Sequence, residues 1–252
     1  MKSVLATVAF LTTIPIPVRW LDEEQDYTKC VPWFPLVGVI IGSCVALIAW
    51  GLVSVVPPWP AAVLITGAMA VVSGALHLDG LADTADGFLS GRPRERVLEI
   101  MHDSRTGAMG VVAVVLVLLL KVALLAEVCG MEGPYALGVV ALAPVCGRCS
   151  LVWSMWLNPY AGGDGLGRSY WHRSWAVSLV ALAGFSVVAS WLLGTGGLIC
   201  PGTAVGLTFV FSLWCRRRIG GATGDSAGAC CELTETGFLL AVVAAANVGG
   251  VS

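Results

Sequence analysis

The chain has 252 residues, of which 57% are hydrophobic and only 12% charged, and its mean hydropathy is +0.86. An ordinary soluble protein carries roughly 25% charged residues, so this composition points to a polytopic integral membrane protein. The net charge of −2 argues against nucleic acid as a partner, and nine scattered cysteines, an odd number, argue against a disulfide framework.

The N-terminal stretch "MKSVLATVAFLTTIPIPVRW" has a short apolar part, no small-x-small cleavage site, and prolines at 15 and 17. It reads as retained, lying at the membrane interface rather than as a removed signal. Apolar runs long enough to span follow at roughly 31–56, 60–77, 108–128, 134–157, 175–197, 203–215 and 236–251, the last two being short. Polar material is confined to residues 19–30, 78–107, 158–174 and 216–235. All the lysines and arginines outside the predicted spans lie in or next to these four segments or at Lys2, and the connections near 57–59, 129–133 and 198–202 carry none. By the positive-inside rule, seven spans with a cytoplasmic N-terminus satisfy every segment. The expected fold is therefore all-α, a single bundle of six to seven transmembrane helices over residues 1–252, with no repeat and no separate soluble domain. Cys146 and Cys149 form C-x-x-C inside a predicted span, where a redox or zinc role is out of context. A Cys129–Cys200 bridge near the outer face is disfavoured.

The chemistry is concentrated in the polar segments. In "HLDGLADTADGFLSGRP" (77–93), Asp79, Asp83 and Asp86 follow an i, i+4, i+7 pattern. If the preceding helix continues, they share one face within roughly 60°. A merely solvated helix end would mix charge signs, but no basic residue appears until Arg92. Three crowded carboxylates call for a cation, and hard divalent ions use carboxylates together with substrate phosphates. His77 falls on the opposite face and reads as a packed histidine. In "HDSRTGAMG" (102–110), Asp103 extends the acids, Arg105 suits bidentate phosphate binding, and Gly107 allows close backbone approach before a helix N-terminus. Arg92, Arg94 and Arg96 read as membrane anchors.

Lys121 and Arg148 lie inside predicted spans, where each costs about 2.5–3.5 kcal/mol on insertion scales. Arg148 is read as functional and Lys121 as snorkelling or paired structurally. The loop "NPYAGGDGLGRSYWHRS" holds Asp164 and Arg168 among glycines, a weak phosphate signal by itself. In "RRRIGGATGDSAGACCELTETG", Asp225 and Glu232 are seven apart, and Gly224 is one of four glycines that permit close approach. Together these suit a two-walled site for a metal-bound diphosphate.

The succession "FLTTIPIP", "PWFPLVGVIIG", "HLDGLADTADG", "MHDSRTGAMG", "DGLGRSY" and "GGATGDSAGACCELTE" resembles the cobalamin synthase (adenosylcobinamide-GDP ribazoletransferase) family from about residue 5 to residue 240. The family pattern leads one to expect a basic residue just ahead of "GLG". Here Gly162 and Gly163 precede Asp164, so that role falls to another residue such as Arg168, or is not needed. The resemblance implies transfer of the cobinamide phosphoryl group of adenosylcobinamide-GDP to α-ribazole or its 5′-phosphate, with release of GMP and Mg²⁺ as cofactor. It implies Asp79, Asp83 and Asp86 as metal ligands, and Arg105 and Arg148 as stabilisers of phosphate charge. Asp103, Asp225 or Glu232 would act on the acceptor 5′-hydroxyl, with Arg168, Gly107 and Gly224 lining the ligand. The implied setting is the cytoplasmic membrane of a bacterium or archaeon, with the site facing the cytoplasm, and a homo-oligomer is compatible with it.

Two other readings compete. "DTADG" begins the D-x-x-D-G signature of CDP-alcohol phosphotransferases, but Phe88-Leu89-Ser90-Gly91 replaces its x-x-A-R, and Gly107 stands where a further aspartate is required. A secondary transporter would place its acids near the midplane and show a repeat, neither of which is expected here.

Overall fold

The structure is a computed structural model that describes residues 2–21, 26–131, 133–163 and 165–248. The sequence reading of Asp164 lies outside the described residues. The helices are α1 (Lys2–Leu11), α2 (Phe34–Val53), α3 (Pro58–Val72), α4 (Leu76–Phe88), α5 (Arg94–Met101), α6 (Ala108–Cys129), α7 (Pro134–Leu157), α8 (Leu166–Tyr170), α9 (Trp175–Leu193), α10 (Ile199–Ile219) and α11 (Gly224–Asn247). Six helical segments, ending in α2, α6, α7, α9, α10 and α11, are long and apolar enough to cross a membrane, and α3 with α4 forms a bent pair. The fold is thus the all-α polytopic bundle that the composition predicts.

α7 is the axis of the bundle, and every residue from Leu142 to Met155 on it is buried. α2 packs on it through Gly38 and Gly42, a small-xxx-small pair that lets two backbones meet. A Cβ at Gly38 would lie 2.8 Å from Val145 Cα, and one at Gly42 only 2.0 Å from the Ala141 carbonyl oxygen. The outer helices instead turn large apolar side chains outward, such as Leu116 and Leu119 on α6 and Val187 and Trp191 on α9. In a bilayer those faces meet lipid, so apolar exposure costs nothing there.

Two segments differ from the sequence expectation. The span expected at 60–77 breaks at 73–75, where α3 and α4 meet at 90°. Gly74 (φ +60°) and Ala75 (φ +55°) both take the left-handed conformation. A break among apolar helices frees carbonyls that must find donors. The Thr13 N–H donates to the Val72 carbonyl at 2.8 Å, and the Thr13 hydroxyl donates to the Val71 carbonyl at 3.1 Å. The "FLTTIPIP" stretch therefore satisfies the break. The second difference is α11. Residues 224–235, assigned to a polar connection, are its first half, and the last two spans are correspondingly longer than 203–215 and 236–251. Thr223 and Ser226 form a reciprocal capping box that starts α11 early, and its Glu232 and Glu235 are neutralised by partners described below.

All nine cysteines are free, including Cys129 and Cys200, and Cys146 and Cys149 are buried in α7.

Gly42→Val is expected to lower the thermal midpoint of the detergent-purified protein, since overpacking costs about 1–3 kcal/mol. Gly51→Ala on the same helix, where an added Cβ meets nothing within 4 Å, should leave it unchanged or raised. Equal stability of the two variants would rule out the close α2–α7 approach.

Candidate active site

The four polar segments converge at one end of the bundle. The segment after α7 pairs with the segment before α11, with the Ala161 N–H donating to the Ala222 carbonyl (2.9 Å) and the Ala222 N–H to the Pro159 carbonyl (3.0 Å). Gly221 permits this, because a Cβ there would fall 2.2 Å from the Pro159 carbonyl oxygen. Gly167 of the "GLG" turn comes against Gly224, its Cβ position being 3.5 Å from Gly224 Cα. The third and fourth polar segments are therefore one wall.

α4 forms the facing wall. It lies against α11 through two glycines: a Cβ at Gly80 would sit 2.6 Å from the Asp225 carbonyl oxygen, and one at Gly228 would sit 3.3 Å from His77 Cα. This approach sets Asp79 and Asp83 beside Asp225. The charges of Asp79, Asp225 and Asp86 all bear on Asp83, and His102 also lies within electrostatic reach of Asp83 and Asp225. His102 is a site neighbour that the sequence reading passed over, although it stands in the quoted "HDSRTG". His77 is buried, its Nδ1 3.6 Å from Cys231 Sγ, yet it also lines the cavity described below beside Asp79 and Asp225, so it is not set apart from the acids as its helical position suggested.

Asp86 is differently employed. Its Oδ2 accepts from the Gly107 N–H (2.6 Å) and its Oδ1 from the Gly110 N–H (2.8 Å). Added Cβ atoms at Gly107 and Gly110 would collide with this carboxylate at 2.5 and 2.4 Å. The α6 N-terminus, expected to attract a ligand anion, thus holds the protein's own carboxylate as a cap. Asp103 and Arg105 form an exposed bidentate pair, Nη2–Oδ2 2.7 Å and Nε–Oδ1 3.0 Å. The Arg105 guanidinium holds the Asp103 carboxyl down at about 2. Because that value is depressed, the pairing is complete above the ordinary carboxylate range near pH 4 and is lost as the pH falls toward 2. Arg168 lies exposed on α8, next in sequence to Gly167. Among the described residues, Arg218 has buried Nε and Nη2 atoms without a hydrogen-bond partner, close in sequence to "GGATGD".

Arg148 and Glu232 belong to another assembly. Lys121 of α6 donates to Glu232 (2.6 Å) and Glu235 (2.7 Å) of α11, and Arg148 of α7 pairs with Glu235. All four are buried. Two cations and two anions cancel, which makes them tolerable in an apolar interior. The structural reading of Lys121 is met. The structure gives Arg148, expected to serve a substrate, the same kind of partner.

A cavity of about 250 Å³ opens beside the α4–α11 contact. Asp79, Asp225, Gly167 and Gly224 lie on its wall, together with Phe10, Phe34 and Tyr170. Of the three acids considered for the acceptor hydroxyl, Asp225 is the one that lines it. Among the described residues no three acidic, histidine or cysteine side chains are already gathered to hold a metal ion. The donor set still suits Mg²⁺, which uses one or two carboxylates and completes its shell with water and substrate phosphate. Asp79, Asp83 and Asp225 supply hard oxygen donors with no ion pair among the described residues.

Asp86→Ala is expected to cost about 0.5–2 kcal/mol of stability, as loss of a helix cap does, with Asp86→Asn closer to the wild type; an Asp86→Ala protein of unchanged stability would remove the capping role. Lys121→Met should cost about 3–5 kcal/mol by leaving Glu232 and Glu235 short of a partner. Adding Glu232→Leu should restore part of that loss, and a fully stable Lys121→Met single variant would refute the network.

The family model described as Cobalamin-5-phosphate synthase matches residues 3–243. An adenosylcobinamide-GDP ribazoletransferase of Acetivibrio thermocellus is 37% identical over 243 residues, 95% of this chain and 96% of that protein. A protein of the same name from Brevibacillus brevis is 38% identical over 253 residues, 96% of this chain and 98% of its own length. No solved structure matches significantly. With the motif-bearing segments gathered at one end and relatives aligned from end to end, the chain belongs to the Cobalamin-5-phosphate synthase family.

Proposed function

We propose that the chain is a membrane-embedded transferase that joins the cobinamide phosphoryl group of adenosylcobinamide-GDP to a ribose hydroxyl of α-ribazole or its 5′-phosphate; the 5′-oxygen is already esterified in the latter, so the acceptor common to both is another ribose hydroxyl. The acceptor oxygen bonds to the phosphorus nearer the corrinoid, and the bond from that phosphorus to the bridging oxygen breaks. GMP leaves, and adenosylcobalamin or its 5′-phosphate is formed. The observation that carries this reading is the convergence of Asp79, Asp83 and Asp225 across the α4–α11 contact at one end of a family member's bundle.

The chemistry asks mainly for positioning and charge neutralisation. Asp79 and Asp83 are the side chains that would hold Mg²⁺ against the diphosphate; the ion would offset the charge of the non-bridging oxygens. Asp225, on the cavity wall, orients the acceptor hydroxyl and takes its proton. Arg105 exchanges Asp103 for a phosphate oxygen, an exposed swap that costs little. Arg148 acts indirectly, by holding α7 to α11. The positive-inside rule supports a cytoplasmic-facing site at this basic end of the bundle, where the nucleotide substrate is available.

The purified protein in detergent, given adenosylcobinamide-GDP, α-ribazole and Mg²⁺, should release GMP and form the corrinoid product in equal amounts. Chelation with EDTA should stop the reaction and added Mg²⁺ restore it. Asp225→Asn should slow turnover by about 10²–10⁴-fold, and Asp83→Asn should abolish it while the protein still inserts and purifies. Absence of product with the wild type would sink the reading; near-normal turnover of Asp83→Asn would remove the carboxylate cluster from it.

A further inference from the structure

We infer that the cavity beside α4 and α11 is the binding site of the acceptor nucleoside, with its apolar bicyclic base packed among Phe10, Phe34, Tyr170 and Met155 and its ribose toward Asp79 and Asp225. This assignment rests on the transferase reading and goes further by giving one of the two substrates a place.

Three observations carry it. The first is size. A volume of about 250 Å³ lies just below the usual range of ligand pockets, roughly 300–1,000 Å³. It admits a nucleoside and excludes a corrinoid macrocycle. The second is the character of the wall. Phe10 and Tyr170 stack at 4.1 Å with an interplanar angle of 14°, and Phe34 stands 6.3 Å from both rings. Leu151 and Met155 of α7 complete the apolar side. The wall's polar side chains are His77, Tyr170 and the two aspartates, so a guanine base turned to the apolar side would leave several donors and acceptors unpaired, a loss that discriminates strongly. A benzimidazole riboside has flat apolar faces and, besides the glycosidic nitrogen, a single acceptor nitrogen, and the wall meets those faces with aromatic and thioether surface. The third is polarity at one end. Asp79 and Asp225 line the same cavity, and Gly167, Gly224 and Gly228 add no side chain. Ribose hydroxyls donate well to carboxylates. The acceptor ribose hydroxyl then falls at the acids proposed to hold the metal and the donor diphosphate.

The arrangement also accounts for the N-terminal stretch. Thr13 closes the α3–α4 break, and Phe10 and Leu11, two and three residues before it, line the cavity. One short segment supports the wall that presents Asp79 and supplies part of the surface for the base.

The test uses the full wild-type chain in detergent and a riboside of 5-azidobenzimidazole as photoprobe. Irradiation followed by peptide mapping should place the label on residues 10–11, 34, 151–155 or 170. Excess α-ribazole should prevent labelling and excess GDP should not. Label confined to other residues, or protection by GDP equal to that by α-ribazole, would overturn the assignment. In turnover, Met155→Ala enlarges the cavity and should raise kcat/KM for a riboside with one more fused ring by about tenfold or more relative to α-ribazole; an unchanged preference in a folded variant counts against it. Wall labelling without GMP release from the wild type would sink the transfer reaction and leave the nucleoside site standing. GMP release with label elsewhere would do the reverse.

Discussion

Two positive and two negative side chains lie in the apolar interior, and their mutual neutralisation is the constraint on which the rest of the structure depends. Lys121, Arg148, Glu232 and Glu235 come from α6, α7 and α11. None of them is tolerable there alone. Because both acids are on α11, the network fixes the rotation and depth of that helix against its neighbours. Asp225, two turns earlier on α11, is thereby set at the level of Asp79 and Asp83. The family-like acids of α11 thus divide into a buried structural pair and one aspartate at the site.

The same economy governs α4. A continuous helix through 60–88 would carry its aspartates away along the axis of α3. The 90° break turns α4 onto α11, and Gly80 and Gly228 let the two helices come close enough for their carboxylates to interact. The break is sustained by Thr13, which returns partners to the Val71 and Val72 carbonyls. Loop segments far apart in sequence follow the same rule, with Pro159, Ala161 and Ala222 satisfying one another's backbone groups where the chain has no helix.

The class of fold was legible in the sequence because the signal is compositional. Twenty-residue apolar runs and the confinement of lysine and arginine to alternate connections need no knowledge of contacts. The i, i+4, i+7 spacing of Asp79, Asp83 and Asp86 was legible for a similar reason, since helical periodicity follows from backbone geometry. The early start of α11 was not legible by hydropathy, which reads Asp225, Glu232 and Glu235 as polar connection and does not see that two of them have cationic partners more than 80 residues away. The capping pair Thr223 and Ser226 was the local signal that could have corrected it.

By itself, then, the sequence determined a helical membrane bundle, the segments that carry chemistry and the family to which they point. Tertiary structure decided what each charged residue does. Asp86 and Asp79 share a helix face, yet one caps α6 and the other faces a cavity, because only folding brings the Gly107 and Gly110 amides to the first. Arg148 and Arg105 are both arginines among functional motifs, but one is locked to Glu235 in the interior and the other is exposed beside Asp103. The physical reason is common to all of these. Residue type and spacing set what a group is able to bind, whereas the cost of leaving a charge or a backbone amide unpaired selects its partner, and that partner arrives from elsewhere in the chain.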